Sequence, residues 1–340
     1  MSSKHLGKQT VRLSSPPAVL AGAAVVGKKE GEGPLGACFD YISDDSYFGE
    51  KTWEKAESNM LKRCFGIACD KAGMPPSSLQ YIFGGDLLNQ CTASSFAMRD
   101  SQVPYFGVYG ACSTMAESLS LAAMAVDGGF CDGAAALSCS HFCSAERQFR
   151  FPLEYGGQRA PTAQWTVTGA GTVILAKSGQ GPYITHVTTG KIIDAGVTDA
   201  NNMGAAMAPA AYDTIKTHFE DTGLSPEDYD LIITGDLGYV GREALLELFS
   251  RDGVKLGTNA MDCGLLIFDR ETQDVHAGGS GCGCSASVLC GMLIDSMRER
   301  RWKRMLFAAT GALMSTTSAQ QGESIPGICH AVALNLEVPC

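Results

Sequence analysis

The sequence contains an internal repeat. Residues 73–87 align with residues 223–237 without a gap, and both segments end in Gly-Asp-Leu, which places their aspartates at Asp86 and Asp236. Each segment is typical of a helix end, a proline-containing loop, a buried strand and a turn that carries the aspartate. The repeat therefore predicts a chain built from two similar α/β halves.

Each copy of the repeat follows an amphipathic helix, which we predict over residues 52–71 and 208–221. Strands that alternate with helices indicate parallel sheets joined by right-handed crossovers. We predict strands over 81–84, 105–108, 134–138, 172–176, 231–234, 304–309 and 331–336. A Gly- and Pro-containing turn begins at Lys177, so we expect an N-terminal half over residues 1–177 and a C-terminal half over residues 178–340.

Composition excludes several classes of function. Hydrophobic residues make up 45% of the chain and charged residues 18%, as is typical of a folded globular protein. The formal net charge of -10 argues against a nucleic-acid partner. No apolar run reaches the ~18 to 20 residues that a transmembrane helix needs. The short apolar run 18–27 fits a buried strand better than a signal peptide, so we expect neither export nor a membrane span.

The chain has 14 cysteines, and we expect them to be mostly reduced thiols. No Cys-x-x-Cys pair occurs, which argues against a zinc site. Cys139, His141 and Cys143 would share one face of a strand, but a fourth ligand is not evident. We therefore predict no metal site and no cofactor.

The strongest candidate for a functional residue is Cys112. The turn Gly-Ala-Cys-Ser at 110–113 follows a predicted strand and begins a predicted helix over 113–127. This is the arrangement of a nucleophile elbow, and a helix N-terminus favours the thiolate form of a cysteine. A small buried thiol at a crowded turn explains the same pattern, so both interpretations stay open.

Histidines and arginines provide further candidates. His141 lies just past the predicted strand 134–138, and His330 lies in the segment Gly-Ile-Cys-His-Ala. Arg147 and Arg150 belong to a segment that mixes cations with aromatic residues, and guanidinium groups bind carboxylates bidentately. This segment could clamp an aromatic diacid, or it could be an ordered loop at a dimer interface.

With these motifs the chain resembles the thiolase superfamily, and its ketoacyl synthase III-like condensing enzymes most of all. The resemblance rests on the elbow at 110–113, the segment Thr-Gly-Ala-Gly-Thr-Val-Ile-Leu at 168–175 and the duplication. Within the superfamily the whole chain is similar to a sporulation family of endospore-forming bacteria. The stretches that carry this similarity are 7–10, 29–36, 85–90, 145–150, 154–157, 207–211 and 277–282. The resemblance implies a thiolase-like α/β fold with a duplicated, five-layer α-β-α-β-α architecture.

The resemblance also implies that the usual catalytic partners are replaced. Condensing enzymes pair the cysteine with His and Asn, or with two His. Here the turn that would carry the His reads Thr-Gly-Asp-Leu-Gly around Asp236, and the turn that would carry the Asn has Cys282. An aspartate would oppose the negative charge that develops during condensation. We therefore expect a binding module rather than a working condensing enzyme.

The function implied by the resemblance is binding of dipicolinic acid, pyridine-2,6-dicarboxylate, either free or as its calcium chelate, and assistance of its uptake into the developing spore. The expected ligand-binding residues are Cys112, His141, Arg147, Arg150, Asp86 and Asp236. The resemblance further implies a homodimer on the cytoplasmic side of the spore inner membrane, held there by small membrane proteins of the same operon.

Two alternatives stay open. In the first, the chain is an acyltransferase or thioesterase in which a CoA thioester acylates Cys112 and His141 or His330 acts as the base. An open pantetheine tunnel and a Cys112 thiolate would favour this enzyme. In the second, the chain is a purely structural subunit with a vestigial pocket.

Overall fold

The computed structural model of the chain describes residues 4–149 and 159–338. Its strands are β1 (Thr10–Arg12), β2 (Ala18–Gly27), β3 (Tyr41–Ser43), β4 (Tyr81–Asp86), β5 (Tyr105–Gly107), β6 (Gly133–Ser140), β7 (Trp165–Thr166), β8 (Gly169–Ala176), β9 (Tyr183–Thr188), β10 (Leu231–Thr234), β11 (Ala260–Asp262), β12 (Gly279–Ser280), β13 (Arg304–Ala312) and β14 (Gly327–Asn335). Its α-helices are α1 (Lys28–Gly31), α2 (Trp53–Ala72), α3 (Thr92–Met98), α4 (Thr114–Asp127), α5 (Phe142–Phe149), α6 (Met203–Thr222), α7 (Gly238–Arg251), α8 (Cys263–Leu266), α9 (Cys282–Val288), α10 (Ile294–Arg298) and α11 (Thr316–Gln320).

Both copies of the sequence repeat fold in the same way. α2 ends at Gly73 and α6 ends at Gly223, and each glycine is in the left-handed conformation (φ 62° and 70°) that closes a helix C-terminus. A single 3-10 turn that starts at a proline then leads into β4 in the first copy and into β10 in the second. Asp86 ends β4, and Asp236 lies just after β10. The repeat therefore places two equivalent aspartates at the ends of two equivalent strands.

The strands form two groups with the same order. The first group runs β5-β4-β6-β8-β2 and the second runs β11-β10-β13-β14-β9. Numbered along the chain within each group, both orders read 3-2-4-5-1. The groups join edge to edge where Ala18 of β2 pairs with Tyr183 of β9. The chain passes from one group to the other between Ala176 and Tyr183, whereas the domain boundary after residue 177 itself stays a prediction.

The prediction of parallel sheets is correct for only part of each group. β4 pairs in parallel with β5 and β6, and β10 pairs in parallel with β11 and β13, but β8 and β14 are antiparallel to both of their neighbours. For β14 the reason is the length of the connection. α11 has 5 residues and is about 8 Å long, whereas β13 has 9 residues and spans about 30 Å. Such a helix cannot return the chain to the start of the strand, so β14 runs back beside β13.

The helices and strand groups stack in five layers. α4 lies in the middle and packs against β4, β6 and β8 on one side and against β13 and β14 on the other. α9 shares this layer, and it continues through a π-helical turn into α10. α2, with α3 against it, covers the outer face of the first group, and α6, with α7 against it, covers that of the second. The predicted thiolase-like α-β-α-β-α fold is confirmed.

The middle layer owes its stability to apolar side chains that fit between two sheets. Leu119 of α4, Leu289 of the π-helical turn and Phe307 of β13 are fully buried in one cluster. Burying a side chain of this size contributes about 1.5–3 kcal/mol. None of the helices in the described part of the chain has the length and hydropathy that a bilayer crossing requires.

Candidate functional site

Cys112 lies in a single 3-10 turn between β5 and α4. The preceding residue, Ala111, has a φ of 50°, a left-handed conformation that is strained for a residue other than glycine. The Thr114 hydroxyl supports this backbone by donating a hydrogen bond to the Ala111 carbonyl at 2.6 Å. β13 passes directly against the turn. Gly311 of β13 is so close that a Cβ atom on it would lie 2.3 Å from the Gly110 carbonyl oxygen. The two halves of the chain therefore meet at this cysteine.

A hydrogen-bonded network from the second half lies beside the thiol. The Sγ atom of Cys112 is 3.9 Å from Oγ of Ser280, and the Ser280 hydroxyl donates to Oδ2 of Asp236 at 3.0 Å. The same Oδ2 accepts from the Gly281 N–H at 2.9 Å, and Oδ1 accepts from the Thr310 hydroxyl at 2.9 Å. The Cys112 thiol therefore adjoins the Ser280 hydroxyl, which in turn is hydrogen-bonded to the Asp236 carboxyl group.

Electrostatics at the site keeps the thiol protonated. Asp236 is fully buried, and burial raises the pKa of its carboxyl to about 7. Burial and the neighbouring Asp236 also raise the pKa of Cys112 well above its ordinary value. The thiolate that a helix N-terminus favours is therefore not the stable form here, because the loss of hydration and the adjacent acid outweigh the helix dipole.

A cavity of about 140 Å³ lies beside Cys112 and has walls from both halves. Its apolar and aromatic walls include Leu87, Tyr109, Ala145, Phe149, Ala163 and Met203. Its polar lining consists of Cys112, Glu146, Gln164, Thr166, Asn201 and Ser280. The combination of apolar walls and a few polar groups is that of a small-molecule site.

Gln164 was not among the predicted site residues, yet its side chain is fixed in the floor of the cavity. Its Nε2 atom donates to the main-chain oxygens of Asp236 at 2.8 Å and Gly279 at 2.7 Å. Its Oε1 atom is buried and has no hydrogen-bond partner. Ser280 was also missed, although the Gly-rich turn that carries it was recognised. Neither residue has a local sequence signal, because each reaches the site through tertiary packing.

The two candidate histidines lie outside the cavity. His141 is buried, and its Nε2 bonds with the Ser46 carbonyl at 2.8 Å while its Nδ1 accepts from the Cys143 N–H at 3.1 Å. It therefore caps α5, and burial lowers its pKa. His330 accepts from the Gly190 N–H at 3.2 Å, and burial lowers its pKa to about 4. Both imidazoles serve internal hydrogen bonds and neither adjoins the cysteine.

The predicted arginine clamp is not found in the described part of the chain. Arg147 forms an ion pair with Glu54, and its guanidinium lies 5.5 Å from the ring centre of Trp53. Arg147 does not line the cavity, and helix α5 places Glu146 and Phe149 in the cavity wall instead. Arg150 lies outside the described residues.

Asp86 and Cys282 lie near the cavity but are enclosed. Asp86 accepts from the Ser94 hydroxyl at 2.6 Å and from the Leu88 N–H at 2.8 Å, which fixes the loop after β4. The Cys282 thiol is fully buried and donates to the Cys139 carbonyl at 2.9 Å. Of the six predicted ligand-binding residues, the structure therefore brings together Cys112 and Asp236.

Metal ligation is not evident at this site. Within residues 4–149 and 159–338, no group of three or more His, Cys, Asp or Glu side chains is arranged to hold a metal ion. Cys139 and His141 instead have separate partners. The Cys139 thiol lies 3.6 Å from the Glu57 carboxyl, whereas His141 bonds with the Ser46 carbonyl.

Comparison with solved structures identifies proteins of the same fold. 3-Oxoacyl-[acyl-carrier-protein] synthase III from Aquifex aeolicus VF5 has a TM-score of 0.59 at 12% identity, over 94% of this chain and 99% of that one. Cerulenin-bound OleA from Xanthomonas campestris has a TM-score of 0.59 at 15% identity, over 94% of this chain and 96% of that one. At these identities the likeness concerns the fold alone.

Comparison of the sequence identifies the family. The family model of stage V sporulation protein AD matches residues 7–335. Stage V sporulation protein AD of Bacillus subtilis (strain 168) is 44% identical over 329 residues, which is 97% of both chains. Both matches extend over both halves of the fold and include the elbow, Asp236 and the turn at Ser280. The chain belongs to the stage V sporulation protein AD family.

Proposed function

We propose that this chain is a non-catalytic, thiolase-like sporulation protein that binds dipicolinic acid in the Cys112 cavity and assists its uptake, with calcium, into the developing spore. The observation that carries the proposal is a small cavity with aromatic walls in which the cysteine lacks a catalytic partner. The family membership supports the sporulation role.

The chemistry around Cys112 supports binding rather than acyl transfer. A nucleophilic cysteine needs a low pKa or an adjacent base, whereas burial and Asp236 raise the pKa of this thiol. Condensation also needs hydrogen-bond donors aimed at a developing oxyanion. Here the Ser280 hydroxyl already donates to Asp236, and the ionised form of Asp236 would repel an oxyanion. These features disfavour the alternative of an acyltransferase or thioesterase.

The size and lining of the cavity support a compact aromatic ligand. Its volume of about 140 Å³ is smaller than the roughly 300–1,000 Å³ of common small-molecule sites. Tyr109 and Phe149 line the cavity and supply aromatic contact area for a compact ring. A single pyridine ring suits this space better than the long pantetheine arm of CoA.

Calorimetric titration of the purified chain with dipicolinate tests this function. We expect saturable binding that weakens about tenfold in Cys112→Ala, equivalent to about 1.4 kcal/mol, and that is unchanged in Cys38→Ala, an exposed thiol outside the cavity lining. We expect no heat of binding with acetyl-CoA. Acylation or binding by acetyl-CoA, without a response to dipicolinate, would establish the enzyme instead.

We propose in addition that the chain forms a homodimer through the edge of the first strand group. β5 is the edge strand, and its Phe106 is 51% exposed. An unpaired sheet edge with an exposed aromatic side chain is suited to pairing with a second copy. Sedimentation velocity should give a dimer for the unaltered chain and a monomer for Phe106→Glu, and a monomeric unaltered chain would contradict the dimer.

We propose that the homodimer acts on the cytoplasmic side of the spore inner membrane with small membrane proteins of the same operon. The net charge of -10 makes direct attraction to anionic lipid weak, so protein partners must hold it there. The chain should leave the membrane fraction of sporulating cells when those partners are deleted, and its retention there would refute this part of the proposal.

A further inference from the structure

Helix α5 forms one wall of the Cys112 cavity. Ala145, Glu146 and Phe149 of this helix line the cavity. Ser144 and Gln148 of the same helix form hydrogen bonds with α2 and with the loop after β4. Residues that anchor the helix thus lie beside residues that form the wall, within 8 residues in all. The contacts that hold α5 in place therefore also determine the shape of the cavity.

One of these contacts is completely buried. Glu57 of α2 is 0% exposed and Ser144 of α5 is 1% exposed, and Oε2 of Glu57 lies 2.6 Å from the Ser144 hydroxyl oxygen. The ion pair of Arg147 with Glu54 also joins the two helices, but both side chains are partly exposed. Exposed ion pairs contribute little, because water and salt screen them. The buried contact is therefore the stronger link between α2 and α5.

The other contacts of α5 end on loops. His141, just before the helix, bonds with the carbonyl of Ser46, an exposed loop residue. Gln148 bonds with the main chain of Leu87 and Asn89 in the loop after β4. A loop can move together with the helix, whereas α2 has 20 residues and packs against β2 and β8. Glu57 therefore joins α5 to the rigid part of the first half.

The surroundings of Glu57 favour its protonated form. Among the described residues, its side chain bonds with the Ser144 hydroxyl and the Cys139 thiol, and neither group is a cation. Burial, together with the neighbouring Asp86, raises the pKa of Glu57 well above its ordinary value. The Asp86 carboxyl accepts three hydrogen bonds, which stabilise its ionised form. Glu57 is therefore the neutral member of this pair of acids.

A protonated Glu57 completes a chain of hydrogen bonds into α5. The Ser144 hydroxyl oxygen lies 2.6 Å from Glu57 and 3.0 Å from the His141 carbonyl oxygen, but a hydroxyl has only one proton to donate. When the O–H of Glu57 donates to Ser144, the Ser144 hydroxyl can donate to the His141 carbonyl. Both short contacts are then hydrogen bonds, and each donor has its own acceptor.

We infer that Glu57, in its protonated form, is a positioning residue for the Cys112 cavity, because through Ser144 it fixes the wall that α5 forms. Glu57 itself does not line the cavity. The inference rests on the proposed function, since the affinity that it concerns is that for dipicolinate. Glutamine has nearly the shape of a protonated glutamate and can donate to Ser144 in the same way, whereas methionine has no donor.

Calorimetric titration with dipicolinate compares variants of the full chain. We expect Glu57→Gln to keep the Kd within about twofold and Glu57→Met to raise it about tenfold. Ser144→Ala should raise the Kd by a similar factor. The double variant Glu57→Met/Ser144→Ala should bind no more weakly than either single variant, because both substitutions remove the same contact.

The matched control is a buried hydrogen bond far from α5. The Thr214 hydroxyl of α6 is buried and donates to the Cys329 carbonyl at 2.9 Å. Thr214→Val should lower the melting temperature, as Glu57→Met does, and should leave the Kd for dipicolinate unchanged. Circular dichroism shows whether each variant is folded at the temperature of the titration, and Ser144→Ala provides the test if Glu57→Met does not fold.

A second measurement needs no ligand. Hydrogen–deuterium exchange reports local opening of a helix through its main-chain amides. In the ligand-free chain, the amides of α5 should exchange about tenfold faster in Glu57→Met than in the unaltered chain. In Glu57→Gln their exchange should match that of the unaltered chain.

The outcomes distinguish this inference from the proposed function. An unchanged Kd and unchanged exchange in a folded Glu57→Met overturn the inference, because Glu57 then has no effect on the cavity wall. A loss of affinity in Glu57→Gln overturns the protonated form. Equal weakening in Thr214→Val also overturns the inference, because lower stability alone then explains the loss. If the unaltered chain does not bind dipicolinate, the proposed function is refuted, and hydrogen exchange still decides whether Glu57 holds α5.

Discussion

Asp236 should make the stability of the fold depend on pH, and one substitution should remove that dependence. Burial raises the pKa of this carboxyl to about 7, against about 3.9 in an unfolded chain. Between these two values the folded chain holds a proton that the unfolded chain has released. The contribution of the Asp236 proton to the free energy of unfolding is therefore fully present below about pH 4 and is lost as the pH rises to about 7.

The magnitude follows from the width of this window. One pKa unit corresponds to about 1.4 kcal/mol, so the full contribution is on the order of 4 kcal/mol, of which about 3 kcal/mol is lost between pH 5 and pH 8. Asparagine at the same position has the same shape and does not titrate. The free energy of unfolding of Asp236→Asn, relative to the unaltered chain, should therefore rise by about 3 kcal/mol from pH 5 to pH 8.

Urea unfolding followed by circular dichroism at pH 5 and pH 8 measures this difference. The control is Asp228→Asn, because Asp228 is exposed and hydrogen bonds from Ser225 lower its pKa, so it stays ionised throughout this range. The control and the unaltered chain should lose stability in parallel. If Asp236→Asn also follows the unaltered chain to within about 0.5 kcal/mol, its carboxyl is ionised at both pH values and the reasoning is refuted.

Two further predictions concern the cysteine and the buried histidine. At pH 7, iodoacetamide should alkylate Cys112 at least about tenfold more slowly than the exposed Cys38, because burial and Asp236 raise the pKa of the Cys112 thiol. Peptide mass spectrometry gives both rates, and faster alkylation of Cys112 would contradict this raised pKa. His141→Ala should lower the free energy of unfolding by about 1–3 kcal/mol through loss of the hydrogen bond to the Ser46 carbonyl. Dipicolinate affinity in calorimetry should stay unchanged, and a loss of affinity at unchanged stability would place His141 at the ligand.

The general fold could be predicted because it depends on local patterns that occur twice. Helix periodicity, the C-terminal Gly73 and Gly223 and the strand-end aspartates all have short-range signatures. Strand direction could not be predicted in the same way. It depends on whether a connecting helix is long enough to return the chain, and the five residues of α11 are too few.

The site was predictable only where a backbone turn determines the side chain's position. Cys112 is held by the turn before α4, and Asp236 by the end of β10, so sequence placed both. His141 follows a strand in the same manner, but its ring turns back to cap α5, which no local pattern reveals. Gln164 directly precedes β7 and Ser280 lies in β12, and the pairing of these two strands joins distant parts of the chain at the cavity.

The duplication described for the fold has a consequence for stoichiometry. Cys112 and Cys282 each lie at the start of a middle-layer helix, and each thiol is influenced by the repeat's aspartate from the opposite half, Asp236 for one and Asp86 for the other. A symmetric ancestor of this arrangement would offer two equivalent sites. In this chain the Cys282 thiol is sealed against the Cys139 carbonyl, and Cys112 alone of the pair borders the cavity. The symmetry is thus broken at its centre, and the proposed function predicts one bound ligand per chain.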